Sequence, residues 1–138
     1  MGIFVKDDQE IKVTIYVSSD IKGRTVAYGE GIILPEEIKL ITDTPKKYEI
    51  FFKYPNYRDS TDIADRGFSF TEQGDMTLNT MQIRFKRLVK LLKRWDFVDD
   101  DGNPIPTSEE MISKLDPVVA AAIIFGLEKA LGISPDEA

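Results

Sequence analysis

The chain has 138 residues, 42% of them apolar and 30% charged, the balance of one soluble globular domain with a core of its own. Basic residues number 18 and acidic residues 24, and a net charge of -6 works against general phosphate binding. Histidine and cysteine are both absent, which excludes Ser-His-Asp and Cys-His catalysis, His- or thiolate-ligated zinc, and any disulfide framework.

Residues 1–10 lack the basic stretch and long apolar run of a secretory signal. The most apolar run, 118–127, is about half of a bilayer span, so no membrane association is expected. A single domain over 1–138 is expected, with a strand-rich half over 1–57, a hinge-like connection over 58–77 and a helical half over 78–138.

Residues 10–17 alternate, with Ile11, Val13, Ile15 and Val17 on one side, and read as a half-buried strand. "SSDIKG" supplies a turn and 24–34 a second extended run, in which Gly29 and Gly31 suggest a bulge; the two runs form a hairpin. Residues 36–41 fit either a short helix after Pro35 or a strand. The aromatic and β-branched run over 48–54 predicts another strand, ended by Pro55. Turn formers and mixed charge fill 55–75, with a helical turn placed after Ser60.

From Leu78 the period changes. Met81, Phe85, Leu88, Leu92 and Trp95 recur at spacings of four and three, predicting one helix over 78–95 with these five on one face. Thr107 and Glu110 stand as a reciprocal cap for a short helix through Leu115. Asp116 and Pro117 then start, and Gly132 closes, a helix apolar almost all round, which must be buried or covered by a partner. The fold class is therefore α+β, a small antiparallel N-terminal sheet followed by a C-terminal bundle of about three helices.

The stretch "RWDFVDDDGNPIP" raises the question of calcium. Counted from Asp99, loop positions 1, 3, 5 and 12 of a calcium helix-loop-helix would be Asp99, Asp101, Asn103 and Glu110. Position 6, where glycine makes the left-handed turn, is Pro104, and Glu110 is wanted by the cap, so a solvated Asp-Gly turn is the better reading.

The predicted helix carries Arg84, Lys86, Arg87, Lys90, Lys93 and Arg94, either a solvated face or a surface for acids or phosphates. Tyr48, Phe51, Phe52, Tyr54 and Tyr57 lie among lysines, a composition shared by single-strand stacking platforms and, far more often, by strand cores. The adjacent carboxylates Glu36/Glu37, Asp7/Asp8 and Glu109/Glu110 point apart in a helix or strand. No phosphate-cradling glycine loop is present, and no catalytic, cofactor or metal residue is expected.

The order of features over 88–132, "LVKLLKRWDFVDDDGNPIPTSEEMISKLDPVVAAAIIFGLEKALG", resembles the small tail assembly chaperones and related morphogenesis proteins of long-tailed bacteriophages. The upstream "FFKYPNYRDSTDIADR" is similar to the strand, proline and acidic helix start of such proteins. The resemblance implies a non-enzymatic protein that binds tape-measure or tail-tube components and keeps their apolar surfaces apart, working in the cytoplasm of the bacterial host. Self-association stays open, and the N-terminal sheet leaves room for a structural subunit of the virion. Candidate partner-binding residues are Arg84, Arg87, Lys90 and Arg94, with Trp95 and Phe97 as aromatic anchors; packing inside the helix joint is the competing role for those two. Nucleic-acid binding through the basic helix 81–95 is the alternative from another class.

Overall fold

The alternation at the N-terminus produces β1 (Glu10–Ser19), the strand on which the molecule is assembled. In the computed structural model, which describes residues 2–65, 68–70, 76–78 and 80–133, β1 is flanked by β2 (Thr25–Gly29) and β3 (Lys46–Lys53). Both pair with it antiparallel. The β1–β2 turn is built on Asp20, whose Oδ1 accepts from the N–H of Lys22 and of Arg24, each at 2.9 Å. Gly23 sits at φ 82°, where only glycine is unstrained. The segment left open between helix and strand is neither in full: Leu40 makes a single antiparallel bridge to Asp20.

Beyond Pro55 the expected helical turn is a longer helix, α1 (Tyr57–Asp65). Asn56 and Asp59 exchange side-chain-to-backbone bonds of 2.8 and 3.1 Å, a reciprocal cap that starts the helix ahead of Ser60. The short strands β4 (Phe68–Phe70) and β5 (Met76–Leu78) pair with each other, and α2 (Thr80–Leu91) follows. A helix over 78–95 is therefore too long at both ends. Leu78 belongs to β5, and after Leu91 the chain turns into β6 (Leu92–Trp95), which pairs with the open edge of β3. Ladder bonds to Ile50, Phe51 and Phe52 outweigh helix propensity at these four residues. The sheet order is β2-β1-β3-β6, so the chain's second half supplies its last strand.

The helical stripe also needs correction. The residues of α2 that are buried are Ile83, Leu88 and Leu91; Met81 is 67% exposed and Phe85 37%. Wedged between α1 and the C-terminal helices, α2 has two inner faces, and a single stripe cannot describe it. Further on, α3 (Glu109–Ser113) is capped by Ser108, whose Oγ accepts from Met111 N–H, rather than by Thr107. Glu110 reaches forward to Lys114 at 3.1 Å instead of back to a cap. In α4 (Pro117–Leu131) the expected ends hold: Asp116 Oδ1 accepts from Val118 N–H at 2.8 Å, and Gly132 closes the helix at φ 72°.

The fold is thus α+β, an antiparallel sheet whose one face is covered by α4. Ile11, Val13, Ile15, Ile50 and Phe52 of the sheet meet Val119, Ile123 and Leu127 of α4, with Leu88, Leu91 and Ile112 closing the sides. A Cβ built on Gly126 would stand 2.6 Å from Val13 Cγ1, so the helix lies as low on β1 as backbone allows. Gly126→Ala gains about 1 kcal/mol of helix propensity but overpacks a stiff, buried valine at a cost of about 1–3 kcal/mol. The expected outcome is a net loss of stability, read as a lower urea midpoint at unchanged slope.

Candidate functional site

Trp95 and Phe97 are joined to the turn that follows them. The indole Nε1 of Trp95 donates to the carbonyl of Ile105 at 2.7 Å, and Ile105 N–H donates to the carbonyl of Phe97 at 3.0 Å. Val98 bridges Pro104, and Asp99 Oδ1 accepts from Asp101 and Asn103 N–H, both at 2.9 Å, with Gly102 left-handed at φ 81°. The Phe97 ring lies 4.8 Å from Tyr48 and 5.0 Å from Trp95. Both candidate anchors are half-buried in this joint, and the first aspartate of the acidic run is spent on closing the turn.

The six cations of the expected basic helix do not share a face. Lys93 and Arg94 stand on β6, where Arg94 forks onto Glu10 at 2.6 and 3.0 Å and lies over the Phe51 ring at 4.1 Å. Lys90 reaches Asp62 of α1 at 3.0 Å. Arg84 points the other way, to Glu128 of α4 at 2.8 Å, and Arg87 is half-buried with its Nη1 lacking a hydrogen-bond partner. Burial pulls the Arg87 guanidinium below its ordinary value, with Glu128 opposing. The aromatic run is divided in the same way: Phe52 is buried, Phe51 sits on the opposite sheet face under Arg94, and Tyr54 and Tyr57 are exposed beyond the strand.

An apolar groove lies between α2 and α4. Met81, Phe85 and Leu88 form one wall, Ala121, Ile124 and Phe125 the other, and Ile112 and Leu115 the floor, around about 520 Å³. Phe125 is 49% exposed and Val118 42%, so the outward side of α4 remains apolar. At one end sits Glu128, 4% exposed, held by Arg84. Sequence reading missed Glu128 because an acid in the last turn of a helix, followed by Lys129, looks like a solvated one; only Ile124 and Leu131, four residues before and three after on the same helix face, hinted that it is enclosed.

Among the described residues no group of three or more acidic, histidine or cysteine side chains converges to hold a metal, and no helix is long and apolar enough to cross a membrane. Comparison of the chain with protein-family models, curated proteins and solved structures found no match.

Removing Arg84 leaves a buried carboxylate without its partner. Arg84→Met is expected to cost about 3 kcal/mol in equilibrium unfolding, most of it recovered in the Arg84→Met/Glu128→Leu double variant. Glu10 titrates abnormally because hydrogen bonds from Arg94 and Lys93 hold its carboxyl at about 2, below an ordinary 4.5. A depressed carboxyl stabilises the fold above its unfolded value, and that contribution disappears as pH falls through the folded one. Stability should therefore drop between about pH 4.5 and 2, and Glu10→Gln should remove part of that drop in acid titrations of the unfolding midpoint.

Proposed function

We propose that the chain is a non-enzymatic assembly protein of the long-tailed-phage kind, binding a tape-measure or tail-tube protein during morphogenesis in the bacterial cytoplasm. The observation that carries this reading is the open groove between α2 and α4, with Met81, Phe85 and Phe125 presented to solvent at its rim. A helix apolar on its outward side is an unfinished surface, and contiguous apolar relief of this kind is where protein partners bind. The groove suits an amphipathic helix laying its apolar face down. The order Trp95, Phe97, Gly102, Pro104, Pro106 supports the same reading from the side of the resemblance. Nucleic-acid binding draws less support, since Arg84, Lys90 and Arg94 are each neutralised by an acid of the same chain.

Co-expression with the tape-measure protein of the same phage tests the reading. The two are expected to co-purify, and Phe85→Glu/Phe125→Glu, at partly exposed positions, should lower recovery about tenfold while circular dichroism is unchanged. Co-purification indifferent to both substitutions refutes the groove. Detection of the chain in finished particles would favour the virion-subunit alternative over a chaperone that leaves.

A further inference from the structure

The two edges of the sheet are built differently. β6 is short, carries Lys93 and Arg94, and departs from regular pairing between Phe51 and Phe52, all features that discourage a further strand. β2, hardly longer at five residues, pairs in regular register, and "TVAYG" holds no charge and no proline. Its register with β1 fixes which backbone groups face outward. Asp20 N–H donates to the Arg24 carbonyl at 2.9 Å, so this pair is hydrogen-bonded, and alternation along an antiparallel ladder makes Ser18–Val26 and Tyr16–Tyr28 bonded as well. Thr25, Ala27 and Gly29 therefore turn their N–H and C=O groups away from β1. Among the described residues, the only other backbone bond to these outward groups is a turn contact from Ile32 N–H to the Gly29 carbonyl at 3.4 Å.

Above this edge the outward side of α4 overhangs. Val118, Ala122 and Phe125 face Ala27, Gly29 and Ile32 across an apolar space of about 600 Å³, which adjoins the α2–α4 groove across the crest of the helix, where Pro117, Ala121 and Phe125 line both. An unpaired strand beside an apolar trough is the arrangement that accepts an added strand, backbone bonds giving affinity and the trough taking alternate side chains.

The flanking charges identify the strand that fits. Arg24 and Glu30 lie symmetrically about Ala27. An antiparallel copy of β2 centred on Ala27 sets Thr25 against Gly29, Val26 against Tyr28 and Ala27 against itself. The same register brings Arg24 of each molecule alongside Glu30 of the other. Arg24 already meets Asp20 of its own chain, Nε to Oδ2 at 2.8 Å, but its side chain remains 70% exposed, and Glu30 makes no ion pair among the described residues. Opposite charges across a strand pair are favourable; like charges would meet in an in-register parallel pairing, and a two-residue antiparallel shift would separate Arg24 from Glu30. The uncharged overhangs of two α4 helices come together on the same side of the joined sheet, with no acid of this net-negative chain forced against its copy.

We propose that β2 is a self-association edge: two chains pair antiparallel through Thr25–Gly29, centred on Ala27, into one continuous sheet with their α4 overhangs packed across the two-fold axis. Sedimentation of the full chain over a concentration series should show a dimer. Ala27→Pro removes an outward N–H that β1 does not use, and should give a monomer with unchanged circular dichroism. Glu30→Arg should weaken the dimer by up to about tenfold, because it sets Arg24 against a second cation, whereas Glu36→Arg, the same change in net charge away from the edge, should not.

Because the chain has no cysteine, Ala27→Cys also gives a direct reading of register. The central pair stands about 5.5 Å apart between Cα atoms, within disulfide reach, so this variant should oxidise to a covalent dimer while Thr44→Cys stays monomeric. A chain that is monomeric throughout the series, a dimer unaffected by Ala27→Pro, or Ala27→Cys cross-linking no faster than Thr44→Cys would each overturn the proposal.

Discussion

The contact between Gly126 and Val13 sets the height of α4 above the sheet, and the rest of the molecule is arranged around that height. Because backbone meets valine there, Ile123 and Leu127 come within packing distance of Ile15 and Phe52, and these are among the least accessible side chains in the chain. The same low seat leaves the opposite side of α4 as the crest of the molecule. Its two flanks become troughs, one against α2 and one against β2. A helix with almost no polar residue to spare thus satisfies the core with one side and leaves the other apolar side unmet.

Charge follows the same economy. The basic residues concentrated after Thr80 look like a surface for an external acid, yet the fold distributes them inward. Arg84 meets Glu128, Lys90 meets Asp62, and Lys93 and Arg94 both meet Glu10 at the far end of the chain. These pairs tie α2 to α4, α2 to α1 and β6 to β1, so cations that were candidates for partner binding act as ties between distant segments. Arg87 alone among the four candidate cations has a buried side-chain nitrogen without a hydrogen-bond partner.

What the sequence made legible was local. Alternation at Ile11, Val13 and Ile15, the Asp116–Pro117 start and the Gly132 stop each depend on residues within a few positions, and each survives in the structure. The errors arise where distant segments compete. Leu92 and Trp95 fit the helical period of Leu88, but the open edge of β3 offered them backbone bonds that no local pattern can announce. The cap at Ser108 rather than Thr107 is a shift of one residue, within the reach of either hydroxyl. Of the site, Trp95 and Phe97 were visible as unusual residues, while Phe125, Glu128 and the β2 edge become noticeable only once the neighbours that leave them exposed or enclosed are known.

The late arrival of β6 bears on how the chain is made. When a nascent polypeptide has emerged as far as Lys53, β1, β2 and β3 can already pair, but both outer edges are bare and neither α4 nor β6 has been synthesised. The sheet's apolar face then waits uncovered through the translation of more than half of the chain, a state open to edge-to-edge mispairing. Burial of that face therefore waits for α4 to emerge rather than for the exit of β1, β2 and β3.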